Sequence, residues 1–175
     1  RQPELIFFVG WSWMIKEDII NKYKCICLHP SKLPKYRGGS PLQHQIMNGE
    51  TESAVTLFLM DKGIDTGDIL YQESFSLGGN IKDIFGRIVL AGADGISEIL
   101  KGNYKKSKQD NSKSSFYRRR TPDMSEITVD DIQNYTSEEL FNKIRSLQSP
   151  YPNAFMVCKD GTKLVFEKVR VDNEK

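Results

Sequence analysis

The sequence predicts an α/β fold with a small α+β subdomain at its carboxyl-terminal end. Two observations carry this prediction. Apolar runs with the length and flanks of buried strands alternate with amphipathic helical patterns over residues 4–100. The last third instead contains one capped helix followed by two short strands around a turn at residues 159–162. Alternating strands and helices favour a sheet covered by helices, whereas a helix followed by a hairpin favours a separate small unit.

The first predicted strand covers residues 4–9, ELIFFV, and is expected to be buried. Two tryptophans follow it, and an amphipathic helix is expected from about residue 16 to residue 23. The next apolar run, residues 25–28, stops at a His-Pro pair, because proline cannot donate to a sheet ladder. His29 is therefore expected at the carboxyl edge of this strand.

A loop rich in proline, glycine and basic residues follows at residues 31–39. Ser40 is predicted to cap a short helix that has proline in its first turn and stops at Gly49. A strand over residues 54–60 then leads into an acidic, glycine-punctuated loop at residues 61–68, and a further strand follows that loop.

Two later helices carry clear start signals. Asn80 is predicted to cap a long helix that covers the sheet. The buried side of this helix is expected to contain Ile81, Ile84, Phe85, Ile88 and Leu100. Thr136 and Glu139 form a capping box that opens the helix of the last third.

The composition excludes several classes of protein. The 175 residues are 38% hydrophobic and 27% charged, with a net charge of +2, as in ordinary soluble globular proteins. Because there is no run of about eighteen apolar residues and no signal peptide, we expect a cytoplasmic protein without a membrane partner. The small net charge does not require nucleic acid. Three cysteines, two of them in a predicted buried strand, argue against a disulfide framework.

The strand that ends at His29 and the acidic loop after the next strand suggest a reaction site. Open α/β sheets bind ligands at the carboxyl ends of strands, so the histidine and an acid of this loop are expected to converge. An imidazole beside a carboxylate suits proton transfer together with stabilisation of a developing oxyanion. The sequence has no pattern that favours a metal site instead, because His44 lies mid-helix and the cysteines lack a second pair at zinc spacing.

Two linked motifs at these positions resemble a known family. Residues 29–38, HPSKLPKYRG, and residues 65–69, DTGDI, are similar to motifs of the 10-formyltetrahydrofolate-dependent formyltransferases. This family includes glycinamide ribonucleotide, methionyl-tRNA and nucleotide-linked amino-sugar formyltransferases. The separation of His29 and Asp65, 65 − 29 = 36 residues, is similar to that of the family's catalytic histidine and aspartate. The resemblance extends over most of the chain and weakens between residues 105 and 115.

The resemblance implies a Rossmann-like formyltransferase domain with a small α+β C-terminal subdomain. Residues 1–104 would be the C-terminal portion of the catalytic domain, residues 105–124 a linker and residues 125–175 the small subdomain. In the family, the strand at residues 4–9 comes fourth, so the first strands of the Rossmann-like half are expected to lie outside this sequence. We expect a fragment, a disordered N-terminal part or a partner that covers the exposed strand, and we expect a homodimer.

The resemblance also assigns roles to residues. His29 would stabilise the oxyanion formed when a neutral amine attacks the formyl carbon, and Asp65 would position water or accept the amine proton. Asp61 and Asp68 could be ordinary turn acids. Cys27 occupies the position of a family asparagine whose amide donates to the formyl oxygen. Because a thiol is a poor donor, the resemblance predicts a loss of about two to three orders of magnitude in rate.

Two binding surfaces follow from the same resemblance. Four residues are expected to contact the folate co-substrate, 10-formyltetrahydrofolate: Trp11, Trp13, Ile15 and Ile64. Four others are expected to contact the amine-bearing substrate, which could include phosphates: Lys35, Tyr36, Arg37 and Gly38. By residue type alone, the two tryptophans would be core residues and the second group an exposed basic turn.

Residues 101–120 contain eight basic residues and one acid. Such runs are usually solvated linkers, so residues 105–115 are expected to be mobile. The tail of this run, residues 116–122, resembles the segment that joins the two parts of amino-sugar formyltransferases.

The first hypothesis is therefore a transferase that moves a formyl group from 10-formyltetrahydrofolate to a nucleotide-linked amino sugar. A catalytically weakened or inactive relative that binds folate or a partner is the second, favoured by Cys27 and by the missing strands. The third is methionyl-tRNA formyltransferase, against which the short C-terminal part argues.

Overall fold

The computed structural model describes residues 2–172. Within this range the chain forms eight strands: β1 (Leu5–Phe8), β2 (Lys24–His29), β3 (Arg37–Gly38), β4 (Glu52–Leu59), β5 (Ile69–Ser76), β6 (Phe116–Tyr117), β7 (Ala154–Val157) and β8 (Lys163–Phe166). The same range contains five α-helices: α1 (Glu17–Lys22), α2 (Pro41–Met47), α3 (Ile81–Leu100), α4 (Val129–Asn134) and α5 (Ser137–Ser146). This order of elements confirms the predicted α/β class. None of the helices in the described range has the length and hydrophobicity needed to cross a membrane.

The central sheet has the strand order β1-β2-β4-β5. β1 is parallel to β2, whereas β2 and β5 are both antiparallel to β4. The antiparallel pairing corrects the expectation that β2 and β4 end at the same edge of the sheet. Leu59, the last residue of β4, pairs with Ile26, whereas His29 pairs with Thr56. The loop after β4 therefore leaves the sheet near the start of β2 and must fold back to reach His29.

The two faces of the sheet have different neighbours, because successive strand residues point to opposite sides. Ile26 of β2 packs with Ile99 of α3 in a buried apolar cluster. Cys27 and His29 point to the other face, where Cys27 packs with Phe58. The sheet thus separates its covering helix from the face that carries the histidine.

Helix α3 begins as predicted, with Asn80 and Asp83 in a reciprocal capping box. Its buried side contains the predicted isoleucines of the first turns, but the prediction for Leu100 is wrong. Leu100 is 62% exposed, and Ile99 is buried in its place. One residue turns a helix by about 100°, so a shift of one position moves a side chain from the sheet to solvent.

Two other local predictions are wrong. β1 is half-buried and not buried, because it is an edge strand that pairs only with β2 in the described sheet. Ser40 does not cap α2 through its side chain, since its backbone is left-handed with a φ of 53°. Its Oγ accepts a hydrogen bond from the backbone N–H of Arg120 at 3.0 Å instead.

Helices α4 and α5 and the β7–β8 hairpin form a small unit at the carboxyl-terminal end. The predicted capping box between Thr136 and Glu139 is present at the start of α5. This unit has its own buried apolar cluster: Ile127, Ile144, Leu147 and Ala154. Arg145 donates a hydrogen bond to the backbone carbonyl of Leu77 at 2.7 Å, so α5 is anchored to the chain segment that follows β5.

The segment predicted as a linker, residues 105–124, forms hydrogen bonds with the main sheet. Ser107 and Ile69 exchange two backbone hydrogen bonds, at 2.8 and 2.9 Å. Farther along, β6 pairs in parallel with β3. Most side chains of the segment are exposed, as its composition predicts, and the mobility expected for residues 105–115 stays a prediction. Backbone hydrogen bonds such as those of Ser107 leave no hydrophobic pattern in the sequence.

Candidate active site

His29 ends β2 on the face opposite α3, and only 6% of it is exposed. Its Nε2 lies 2.8 Å from the backbone carbonyl oxygen of Tyr36. A carbonyl oxygen only accepts hydrogen bonds, so Nε2 carries a proton and donates it. Nδ1 is then the ring nitrogen that faces the rest of the site.

The structure brings Asp65 beside His29. Oδ2 of Asp65 lies 3.5 Å from Nδ1 of His29. The same oxygen accepts a hydrogen bond from the backbone N–H of Gly38 at 2.8 Å. The distance to the histidine is longer than an ordinary hydrogen bond, so Nδ1 lies near the carboxylate without being hydrogen-bonded to it. Within residues 2–172, no group donates a hydrogen bond to Oδ1 of Asp65, which leaves that oxygen for a substrate amine or a water.

The loop after β4 places Asp65 by folding back over the sheet. Oδ1 of Asp61 accepts a hydrogen bond from the Thr66 hydroxyl at 2.6 Å, which closes the loop. At Gly67 a Cβ atom would lie 1.6 Å from the carbonyl oxygen of Leu59, so this close approach requires glycine. Asp65 itself has a left-handed backbone with a φ of 54°. Apart from glycine, asparagine and aspartate tolerate this conformation best.

Cys27 lies two residues before His29 on the same face of the sheet and is 7% exposed. Burial raises the pKa of its thiol to about 12, and the charge of Asp65 contributes to the rise. The sulfur is therefore an uncharged thiol at neutral pH, and it contacts the carbonyl oxygen of Leu28 at 3.7 Å. Such a thiol donates only weakly to an oxyanion and is a poor nucleophile.

Tyr36 and Gly38 form part of the wall of the site and contribute backbone atoms to it. The Tyr36 hydroxyl donates to Glu50 at 2.9 Å, and the ring stacks on Tyr117 with centroids 4.9 Å apart. Burial raises the pKa of Tyr36 to about 12. At Gly38 a Cβ atom would lie 2.3 Å from the carbonyl oxygen of Tyr117, so glycine is required there as well. The Tyr36 carbonyl and the Gly38 N–H, and not side chains, are the groups that meet His29 and Asp65.

Arg37 is held inside the protein, which does not fit the predicted contact with a phosphate. It is 8% exposed. Its Nε and Nη2 donate to Oε1 of Gln109 at 3.1 and 2.6 Å, and Nη2 also donates to Asn111 at 2.9 Å. Lys35 is exposed and lines a cavity of about 230 Å³ that also includes Glu50. Of these two basic residues, only Lys35 is accessible to an anion.

The residues predicted to contact folate lie on an open surface. Trp13 is 75% exposed, Trp11 is 49% exposed and Ile64 is 47% exposed, while Ile15 is half-buried. Trp11 packs edge-on against Phe8, with ring centroids 5.8 Å apart. The interpretation of the tryptophans as core residues is therefore wrong. The indole N–H of Trp11 donates to the backbone carbonyl of Trp13 at 2.7 Å, and neighbouring exposed apolar side chains are typical of a binding surface.

Gln109 belongs to this site, although the sequence gives no sign of it. Its amide Nε2 donates to the backbone carbonyls of Asp65 and Gly67, at 2.9 and 2.8 Å. Gln109 lies in the predicted linker, where apolar periodicity is absent. A side chain that binds backbone carbonyls distant in sequence has no local pattern by which it could be found.

The arrangement has the groups needed for proton transfer and for stabilising an oxyanion. Nδ1 of His29 and the carboxylate of Asp65 lie close enough to act on one reacting group. Both side chains are largely excluded from water, and fixed dipoles act more strongly in such a site. Among residues 2–172, no group of three or more His, Cys, Asp or Glu residues is arranged to hold a metal ion.

Comparison with known proteins assigns the chain to a family. Residues 1–78 match the family described as formyl transferase. A methionyl-tRNA formyltransferase of known structure from Clostridium thermocellum is 34% identical to this chain, with a TM-score of 0.88. The match covers 99% of this chain and 74% of that one. The chain belongs to the formyltransferase family.

Two further members of the family show the extent of the likeness. The methionyl-tRNA formyltransferase of Clostridium beijerinckii is 33% identical over 95% of this chain and 54% of its own length. The crystal structure of a 4-N formyltransferase from Francisella tularensis is 26% identical, with a TM-score of 0.78, and the match covers 98% of this chain and 72% of that one. The chain spans about half the length of the curated relatives it matches.

Proposed function

We propose that the protein transfers a formyl group from 10-formyltetrahydrofolate to a primary amine. The observation that carries this proposal is the contact between His29 and Asp65 in a chain of the formyltransferase family. A neutral amine would attack the formyl carbon, and the bond from that carbon to N10 of the folate would break. The amine loses one proton and N10 gains one, so the protein must move a proton between the two nitrogens.

His29 and Asp65 would have different roles in this reaction. Oδ1 of Asp65, which no described group of the protein binds, would accept the amine proton directly or through a water. A proton on Nδ1 of His29 would bind the developing oxyanion, because Nε2 is already turned to the Tyr36 carbonyl. Orientation and fixed dipoles would supply most of the rate enhancement. Cys27 in place of an amide donor would reduce it by about two to three orders of magnitude.

Trp11, Trp13, Ile15 and Ile64 would bind the folate. The exposed rings of the two tryptophans offer stacking area to a flat pterin. Binding would then cover side chains that are otherwise in water, which is favourable for apolar groups.

For the amine, we propose methionyl-tRNA as the first candidate. Relatives that are 30% and 33% identical to this chain, and a solved structure that is 34% identical, carry that name. In addition, Lys105, Lys108, Arg118 and Arg119 are exposed on the segment that Gln109 attaches beside Asp65. Exposed basic residues on this segment suit the phosphates of a nucleic acid.

A nucleotide-linked amino sugar is the second candidate. Residues 116–122, FYRRRTP, resemble the joining segment of amino-sugar formyltransferases. The exposed Lys35 beside a small cavity would suit the phosphates of a nucleotide. A third possibility, a weakened or inactive relative, is favoured by Cys27 alone. We also expect a homodimer that acts in the cytoplasm, which sedimentation and cell fractionation would check.

Turnover with defined acceptors tests the proposal. Purified protein from the complete reading frame is incubated with 10-formyltetrahydrofolate and either methionyl-tRNA or a panel of dTDP- and GDP-linked amino sugars. We expect release of tetrahydrofolate with methionyl-tRNA, and its loss in the Asp65→Asn variant. Turnover with a sugar alone would select the second candidate. Folate binding without turnover on any amine would overturn the proposed transfer and leave the inactive relative.

A further inference from the structure

One side chain, Gln109, connects the two loops that form the His29–Asp65 site. Its Nε2 donates to the carbonyl oxygens of Asp65 and Gly67. Its Oε1 accepts two hydrogen bonds from the guanidinium of Arg37. Both ends of a single amide are therefore engaged, one end by the loop after β4 and the other by the loop after β2.

The hydrogen bonds from Gln109 to the Asp65 loop stabilise an unfavourable backbone conformation of Asp65. The φ of 54° at Asp65 is unfavourable for a residue with a side chain. The two carbonyl oxygens that Gln109 binds lie on either side of the Asp65–Gly67 turn. Fixing both of them fixes the direction in which the Asp65 side chain leaves the backbone.

The contacts on the Arg37 side act on the other partner of the same carboxylate. Arg37 is buried and directly precedes Gly38, whose N–H donates to Oδ2 of Asp65. By holding the Arg37 guanidinium, Gln109 also holds the strand that presents this N–H. Gln109 thus fixes the donor and the acceptor of the hydrogen bond that orients Asp65.

Gln109 itself is held on both sides along the chain. We call residues 107–117 the strap. Ser107 exchanges backbone hydrogen bonds with Ile69 at one end of the strap. At the other end, Ser115 accepts from the backbone N–H groups of Tyr36 and Arg37, both at 2.9 Å. The strap therefore provides a fixed support from which Gln109 reaches the site.

We propose that Gln109 is a positioning residue that keeps the Asp65 carboxylate turned toward Nδ1 of His29. It does not touch the reacting atoms and acts through Asp65. The kinetic consequence rests on the proposed function, because only an active transferase has a rate to lose. The structural consequence does not, since the surroundings of His29 can be measured without turnover.

The test uses Gln109→Met, which keeps the length of the side chain and removes all four hydrogen bonds. Asn111→Ala is the matched control, because it removes one hydrogen bond from Arg37 and none from Asp65. The chain has two histidines, so the ring-nitrogen NMR signals of His29 can be told apart from those of His44. Asp65→Asn gives the reference spectrum for a His29 that has lost the neighbouring charge.

We expect Gln109→Met to move the Nδ1 signal of His29 part of the way toward its position in Asp65→Asn, with His44 unchanged. We also expect kcat to fall by about 10- to 100-fold while KM stays within about threefold, because a displacement of about 1 Å at a reacting group costs about this much. Asn111→Ala should leave the signal and both constants close to those of the unaltered protein.

His29 signals in Gln109→Met that match the unaltered protein would overturn the proposal, whatever the rates are. If the unaltered protein has no transferase activity, the proposed function fails and the NMR comparison still decides the role of Gln109. Should Gln109→Met not fold, Gln109→Glu replaces it. That variant keeps the acceptor for Arg37 and loses the donors to Asp65 and Gly67, so the same displacement of the His29 signal is expected from it.

Discussion

The backbone N–H of Gly38 donates to Oδ2 of Asp65 at 2.8 Å and joins two loops that are 27 residues apart in the sequence. The same oxygen faces Nδ1 of His29 at 3.5 Å. One oxygen of the carboxylate therefore sets the geometry, and Oδ1 is left for chemistry. His29 takes no part in this hydrogen bond. A substitution at His29 should therefore change the rate without separating the two loops.

His29→Ala is expected to lower the rate of formyl transfer by about 10²- to 10⁴-fold, the usual contribution of an acid–base group. Because the buried carbonyl of Tyr36 loses its donor, the free energy of unfolding should also fall, by about 1–3 kcal/mol. Turnover and urea denaturation measure the two effects. His44→Ala is the control: this histidine contacts the Tyr117 ring and the Arg118 carbonyl, and the variant should keep the full rate. Equal losses in both variants would contradict a specific role for His29.

Cys27→Asn is expected to raise turnover by about tens to a few hundred-fold, because it restores an amide donor near the formyl oxygen. Asparagine is larger than cysteine, so overpacking of this buried position should lower the free energy of unfolding by about 1–3 kcal/mol. Cys27→Ser, which is close to cysteine in size, separates the two effects: it should raise turnover less and cost less stability. A fast unaltered enzyme that gains nothing from asparagine would show that another group binds the oxyanion.

The three cysteines should differ in their reaction with iodoacetamide at neutral pH. Cys158 is exposed and should be modified first, whereas Cys25 and Cys27 are buried. Burial and the charge of Asp65 raise the pKa of Cys27 to about 12, so very little of the reactive thiolate exists there. Mass spectrometry of peptides after timed quenching measures each site. Modification of Cys27 as fast as Cys158 in the folded protein is the result that would contradict this prediction.

The raised pKa of Cys27 also predicts a loss of stability in alkali. The folded state favours the neutral thiol, so its contribution is fully present below the ordinary pKa of 9.0 and is lost as the pH rises toward about 12. The unfolding free energy should therefore fall more steeply above pH 9 in the unaltered protein than in Cys27→Ala. Denaturation curves at a series of pH values measure both slopes, and identical slopes would speak against a buried neutral thiol.

Asp131 is expected to stabilise the small carboxyl-terminal unit except in acid. Burial alone would raise its pKa, but hydrogen bonds from Thr128 and the Lys143 ammonium outweigh burial and lower the pKa. The contribution is therefore present above pH 3.8 and is lost as the pH falls through the lowered pKa of the folded state.

Asp131→Ala removes the carboxylate half of the α4 capping box and the partner of Lys143, and should cost about 0.5–2 kcal/mol of unfolding free energy near neutral pH. Thermal unfolding at pH 7 and at pH 3 measures the difference, which should shrink in acid. The exposed pair of Asp110 and Lys113 provides the control, since Asp110→Ala should change stability much less. A difference that grows in acid would reverse the expected sign.

Local signals in the sequence predicted local structure well. The capping boxes at Asn80 and Thr136 are present because they depend only on residues three positions apart. The cap expected from Ser40 is absent, because the backbone N–H of Arg120, distant in sequence, takes the hydroxyl. Leu100 shows the other limit. From the sequence, an apolar residue at the end of a helix can be assigned to either of two neighbouring helix faces, and packing against the sheet decides between them.

The sequence predicts that Asp65 lies close to His29, but the reason for that prediction, two parallel strands, does not hold in the fold. Parallel strands would have brought the two residues to one edge, but β2 and β4 are antiparallel. The approach depends instead on Gly67, which lets the loop pass against Leu59. The role of Gln109 had no signal at all, because a side chain that binds distant backbone carbonyls can be recognised only after the chain has folded.

The strap has a consequence for how the chain can be divided and recombined. Residues 107–117 bind the catalytic part through Ile69, Arg37 and Asp65 before the chain turns to α4 and α5. We propose that a chimera which exchanges the carboxyl-terminal unit between family members should be joined after Arg120, whose backbone N–H still binds Ser40. A junction at residue 104, where the hydrophobic pattern ends, would bring in a foreign strap and leave the catalytic loops with unmatched contacts. On this proposal, the junction for such exchanges lies within the basic segment and not before it.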